Sequence, residues 1–241
     1  MQFLKSKIEA ALDCRIYRNS LPRGADLYHD LYRSFNKEMF RTVFDVGANV
    51  GQSALKYSEV FPTAEIYSFE PVKATYETLF LNTKQIPRIH TFNTGMGKEK
   101  TMLKININAN STINSLLRPS ESNQTEDIAI DTISDFCTAN NIATIDFMKS
   151  DTEGFDLSVL AGCSSMLEKQ QIKVVMVECE PVATNNYFVS LTDLATFFSP
   201  FGYKLFGIYE QQLDWNGNKS LLFFNAVFVC PDLVHNNLPV N

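Results

Sequence analysis

No run of about 18 consecutive apolar residues occurs anywhere in the 241 residues, so no segment is suited to span a bilayer as a helix. Basic runs are missing too. The net charge is -6 and no lysine–arginine cluster of the kind that tracks a phosphate backbone is present, which argues against a nucleic-acid partner. The cysteines are Cys14, Cys137, Cys163, Cys179 and Cys230: odd in number, scattered and set among apolar neighbours. That pattern fits reduced core thiols in a cytoplasmic protein and not a disulfide frame. Met1 to Leu12 interrupts its apolar residues with Lys5, Lys7 and Glu9 and lacks the core and cleavage site of a signal peptide. His29 has no partner at metal-ligand spacing, so no chemistry is assigned to it.

What is present is 45% apolar content, enough for one α/β domain with a sizeable core and a small appendage. The central stretch is Thr42-Val43-Phe44-Asp45-Val46-Gly47-Ala48-Asn49-Val50-Gly51, followed by a helical pattern over Gln52 to Val60. It predicts a buried parallel strand that turns sharply into a helix N-terminus, where free N–H groups face whatever lies above the strand. A second strand-like run, Glu65 to Phe69, ends in Glu70-Pro71, with Glu70 nineteen residues after Gly51. An acidic residue at that tip suits the two hydroxyls of an adenosine ribose. The glycine spacing is Gly47-x-x-x-Gly51, without the third glycine of a pyrophosphate-binding turn, and Asp45 precedes it. A carboxylate there would repel a pyrophosphate but suits a cofactor bearing an ammonium and a sulfonium. Both features disfavour the alternative of a nicotinamide-dependent oxidoreductase.

Phe44 to Gly51, Phe69-Glu70-Pro71, Ile130 to Phe136, Phe147 to Phe155 and Val159-Leu160-Ala161-Gly162 together resemble the successive motifs of the FkbM-type S-adenosylmethionine-dependent methyltransferases, over about residues 42 to 181. The resemblance implies a Rossmann-like class I methyltransferase fold. That fold has a mostly parallel seven-stranded sheet with an antiparallel last strand and helices on both faces. It also implies O-methylation of a saccharide or related small molecule, with S-adenosylmethionine as cofactor. Residues 41–241 would form the methyltransferase domain and residues 1–40 an N-terminal helical cap, broken at Pro22 and Gly24. Tyr28, Leu31, Tyr32 and Phe35 form one face of the second cap helix. That face suits core packing, a lid or a homodimer contact.

The expected cofactor residues are Asp45, Gly47, Ala48, Asn49, Gly51, Glu70, Pro71, Thr94 and Gly95. The last two follow the third strand, Arg88 to Asn93, and serve either adenine or a plain turn. Asn110 to Thr125 is a long polar loop, a surface excursion by composition alone; the resemblance points to substrate contacts around Asn114, Ser115 and Leu116. Asp131 is read as a helix N-cap. Trp215, in a polar link between two late strands, is a candidate sugar-stacking residue or simply packing.

Ile145 to Asp151 reads as the fourth parallel strand. Lys149 and Asp151 are two residues apart and share a face, so at a buried strand tip they are either a structural ion pair or catalytic. Glu153 has an explanation of its own, since an acid in the first helical turn complements the dipole. The fifth strand, Lys173 to Val177, ends in Glu178-Cys179-Glu180 near Asp151. Asp151 with Glu178 could hold Mg²⁺ or another divalent cation through oxygen. An acceptor hydroxyl must lose its proton as the new bond forms. Asp151 is therefore the expected base or metal ligand, with Lys149 stabilising the oxyanion. A non-catalytic binding protein that keeps the fold is the remaining alternative. Its mark would be an empty cleft with Lys149 and Asp151 closed on each other.

Overall fold

The computed structural model describes residues 2–14, 16–17, 21–108, 111, 114–117, 119, 124–182, 187–214 and 219–236. Two helices, α1 (Gln2–Ala11) and α2 (Leu27–Ser34), precede β1 (Thr42–Val46), α3 (Gln52–Val60), β2 (Glu65–Phe69), α4 (Lys73–Thr83) and β3 (Ile89–Phe92). Then come β4 (Gly95–Met96), β5 (Thr101–Asn106), β6 (Thr125–Asp131), α5 (Ile133–Ala139), β7 (Ile145–Ser150), α6 (Asp156–Ala161) and α7 (Ser164–Glu168). The chain continues through β8 (Ile172–Glu180), β9 (Val189–Ser190), α8 (Leu191–Phe198), β10 (Lys204–Leu213), β11 (Leu221–Val229) and α9 (Pro231–Asn236). Among the described residues no helix is long and apolar enough to cross a membrane.

The main sheet runs β10-β11-β8-β7-β1-β2-β3, with the short β9 added beside β8 to make eight strands where seven were expected. β1, β2, β3, β7 and β8 are mutually parallel. β11 opposes both neighbours, so the antiparallel strand lies inside the sheet and not at its edge. Apolar runs such as Val43-Phe44 and Phe147-Met148 are fully buried because helices cover both faces. On one face Phe136 of α5 stands edge-on to Phe69 and Phe92, each at 4.8 Å. On the other, Phe147 packs on Tyr57 and Phe61, both at 5.4 Å. β4, β5 and β6 form a separate small sheet in the order β4-β6-β5.

Three expectations change. Thr132, not Asp131, caps α5, its hydroxyl accepting from the Asp135 N–H at 3.0 Å. β6 continues through Asp131, which pairs with Met96, and the Asp131 side chain accepts from the Thr132 N–H at 2.7 Å. β8 likewise runs on past Val177 to Glu180, because β11 and β9 supply ladder partners for Glu178 to Glu180. Trp215 and half of the 110–125 loop lie outside the described residues.

The α2 face formed by Leu27, Tyr28 and Leu31 is buried in this chain's own core, with Tyr28 edge-on to Phe61 at 5.7 Å. Asp30, also buried, accepts from the Gly24 N–H at 2.7 Å and the Tyr209 hydroxyl at 3.1 Å, which ties α2 to β10. Tyr28 and Tyr32 therefore serve packing, Tyr32 donating to the Val60 carbonyl.

Candidate functional site

The strands leave a cavity of about 840 Å³ above the carboxyl ends of β1, β2, β7 and β8, where parallel sheets bind ligands. Its first wall is the turn after β1. The N–H groups of Gly47 and Ala48 donate to the Phe69 carbonyl at 3.1 and 3.0 Å, locking this turn to the tip of β2. Gly47 has φ +82°, and a Cβ there would lie 1.9 Å from the carbonyl oxygen of Asp151. Only glycine lets the β1 and β7 tips approach this closely. Gly51, φ +99°, is different: a Cβ there would press on Leu79 and Thr83 of α4, so this glycine serves helix packing and is not on the cavity wall.

Glu70 closes the second side. Its two carboxylate oxygens accept from the N–H groups of Asn49 at 3.1 Å and Val72 at 3.0 Å, so the acid at the β2 tip is braced against the glycine turn. Burial pushes its pKa up to about 7, although both N–H bonds work in the opposite direction. Asn93 fixes the following turn by donating to the carbonyls of Glu70 and Pro71 at 3.0 and 2.8 Å.

Of the expected cofactor residues, Gly47, Ala48, Asn49, Glu70, Pro71 and Gly95 line the cavity together. Thr94 does not line it; its hydroxyl donates to the Ala129 carbonyl at 3.1 Å. Asp45 sits behind the wall, fully buried, with one oxygen accepting from Ser53 at 2.7 Å and the other without a hydrogen-bond partner. Burial raises its pKa against the pull of nearby Lys149. Ser53 does line the cavity and carries the influence of Asp45 to it. Apolar residues complete this half: Met96 and Ile128, which lie in no motif, with Ile130 and Phe155 from the ends of two of the motifs.

The other half is charged. Lys149 donates to Asp151 at 2.8 Å, and their side chains are 13% and 26% exposed. Burial works against the Lys149 ammonium, but Asp151 and Asp45 outweigh it and hold its pKa above the ordinary lysine value. The turn after Asp151 is pinned by Asp156, which accepts from the Ser150 hydroxyl at 2.5 Å and the Thr152 N–H at 3.2 Å. Burial brings the Asp156 pKa up to about 6 in spite of the bond from Ser150. Asp151, Glu153 and Glu178 bring carboxylate oxygens within 4.8 Å of one another. A dication at this set would compete with the Lys149 ammonium already bonded to Asp151.

Asn114 and Ser115 line the cavity, yet the Asn114 side-chain oxygen and the Ser115 hydroxyl are already bonded. Asn114 accepts from the Asn108 N–H at 2.7 Å, and the Ser115 hydroxyl donates to the Glu153 carbonyl at 3.1 Å. Ser111 crosses over to donate to the Asn49 side chain at 2.9 Å. Sequence reasoning missed Lys56, Phe188 and Phe223 on the wall. Their only signal was chemical type, and residues this far apart in the chain meet only through topology.

The family model for the methyltransferase FkbM domain matches residues 45–205. No curated protein matches the sequence. Methyltransferase FkbM from Methylobacillus flagellatus KT is 16% identical with a TM-score of 0.53, the match covering 79% of this chain and 44% of that one. The METTL16 methyltransferase domain is 8% identical with a TM-score of 0.50, covering 84% and 64%. TrmK from M. capricolum, solved in complex with S-adenosyl-homocysteine, is 9% identical with a TM-score of 0.48, covering 83% and 67%. At these identities the likeness is one of fold, and the chain spans under half the length of the Methylobacillus protein.

Proposed function

The chain belongs to the FkbM family of S-adenosylmethionine-dependent methyltransferases, and from that premise we propose that it moves a methyl group to a hydroxyl of a saccharide or related small molecule held beside Asp151. The observation that carries this is one cavity lined by Glu70 at one end and by the Lys149–Asp151 pair at the other. When bound, S-adenosylmethionine supplies an electrophilic methyl carbon on a sulfonium. The residues fit that group. Glu70 offers acceptors to the ribose hydroxyls, and Gly47 lets the backbone come close. Met96, Ile130 and Phe155 form an apolar slot for a flat base. The orphaned oxygen of Asp45 and its bond to Ser53 favour an ammonium nearby.

In the acceptor half, Asp151 takes the hydroxyl proton as the new C–O bond forms, and Lys149 orients Asp151 and steadies the developing negative charge. The Lys149 ammonium brings to Asp151 the positive charge a metal ion would bring. Residues 41–241 would carry this chemistry and residues 1–40 would cap it. The closed Lys149–Asp151 pair would equally suit a non-catalytic relative, and Asp151→Asn separates the two. Calorimetry is expected to show unchanged S-adenosylhomocysteine affinity, while labelled-methyl transfer into a cell extract falls at least about 10²-fold. Full transfer by Asp151→Asn overturns the assignment, and absence of transfer by the wild type favours the binding protein.

A further inference from the structure

Two aromatic rings stand on the cavity wall and outside the core. Phe188 and Phe223 line the cavity, yet among the described residues neither belongs to a hydrophobic core cluster. Both are only partly buried. Among the described residues each has a ring contact only with the other, with centroids 5.6 Å apart and ring planes 12° apart. The ladders explain how they meet. Beyond the end of β7, β9 takes its place beside β8 and pairs Val189 with Cys179. On the other side of β8, β11 pairs Phe224 with Cys179. Val189, Cys179 and Phe224 make one buried row. Alternation therefore turns the residues one step away, Phe188, Glu178 and Phe223, to the opposite face, and all three line the cavity. Glu178 brings a carboxylate oxygen within 4.8 Å of one of Asp151, so the aromatic pair stands beside the acceptor base. Partly exposed phenyl rings inside a cavity are apolar surface that a ligand can take out of water.

Resting on the methyltransferase reading, we propose that Phe188 and Phe223 determine acceptor specificity by receiving the C–H face of a pyranose, laid flat with one rim hydroxyl toward Asp151. A pyranose presents C–H groups on its face and hydroxyls around its rim. The aromatic pair covers the face, while Gln52 and Ser53 on the same wall offer polar atoms to the rim. An open-chain polyol has no such face and loses more conformational freedom on binding. A flat phenol would stack as well, but would leave the polar part of the wall without hydroxyls to meet.

The test uses the protein saturated with S-adenosylhomocysteine. It is titrated with the methyl pyranosides of glucose, galactose, mannose and xylose, with sorbitol and with catechol, and binding is followed by saturation-transfer NMR. At least one pyranoside should bind about tenfold tighter than sorbitol. In Phe188→Leu and Phe223→Leu that preference should fall to about twofold or less, with S-adenosylhomocysteine affinity unchanged, and Phe223→Tyr should keep it. In labelled-methyl transfer to cell extract, Phe223→Leu should need about tenfold more extract than wild type for the same rate and recover at high extract, whereas Asp151→Asn stays slow throughout. If S-adenosylhomocysteine binds but no pyranoside outdoes sorbitol, or the leucine variants keep the preference, or catechol outdoes every pyranoside, the proposal fails and the methyltransferase reading stands. Failure of S-adenosylhomocysteine itself to bind removes both.

Discussion

Replacing Glu70 by Gln tests the cofactor end of the cavity through both affinity and pH. In the wild type each carboxylate oxygen accepts one backbone N–H, from Asn49 and from Val72. Gln keeps one acceptor and turns an NH₂ group toward the other N–H, leaving a buried donor unmet at about 1–3 kcal/mol. It also loses the charge-assisted bonds to two ribose hydroxyls. At about 1.5 kcal/mol or more each, this weakens S-adenosylhomocysteine binding about 10²-fold. The pH dependence is the sharper readout. Folding raises the Glu70 pKa from 4.5 to about 7, so on its account stability is highest at low pH and declines as pH rises from about 4.5 to about 7. The loss is about 3 kcal/mol. Glu70→Gln lacks that slope, so its deficit in thermal stability is greatest near pH 5 and shrinks or vanishes near pH 8. Wild-type affinity, which uses the ionised acid, should rise about tenfold between pH 6 and pH 8, whereas the variant stays flat. Calorimetry and thermal unfolding at several pH values measure both. A variant that binds within about threefold of wild type, or keeps the pH slope, would refute the reasoning.

Three further outcomes are expected. Gly47→Ala forces a φ of +82° on a residue with a side chain and drives its Cβ against the Asp151 carbonyl, so it should cost at least about 3 kcal/mol, or about 6–10 °C in Tm, and weaken cofactor binding. Asp146→Ala strands the N–H groups of Arg41 and Thr42, both bonded at 2.9 Å, and should cost about 2–3 kcal/mol in denaturant unfolding with normal cofactor affinity. Dialysis against a chelator should leave turnover intact; loss of activity restored by magnesium would show that the Lys149–Asp151 pair alone is insufficient.

The sequence made the cofactor end legible because its signals are local. A β-rich run, two glycines and a helix pattern lie within Thr42 to Val60, and Glu70 ends the next strand at a distance fixed by one crossover. Even so, the glycines divide their labour in a way spacing does not reveal. Gly47 admits the tip of β7, Gly51 admits α4, and Gly162 of the last motif admits the Gly97 carbonyl, which a Cβ would approach to 2.0 Å. Asp131 was misread because a strand-ending residue and a helix cap share one composition, and only the ladder to Met96 separates them. At the acceptor end the polar and charged residues were legible and the aromatic ones were not. Glu178 looked like a residue beyond its strand until β11 supplied a partner. Phe188 and Phe223 are 35 positions apart and share no motif, so their stacking follows from where β11 sits.

That position of β11 also bears on synthesis. The ribosome releases β10 before β11, yet β10 has no neighbour in the sheet until β11 arrives, and the outer rim of β8 stays bare for the same interval. A nascent chain halted near Leu213 would present Val174 to Val177 as an uncovered, adhesive ribbon. Wedging Leu221 to Val229 between two strands made earlier is thus the step that both completes the fold and ends its exposure to aggregation.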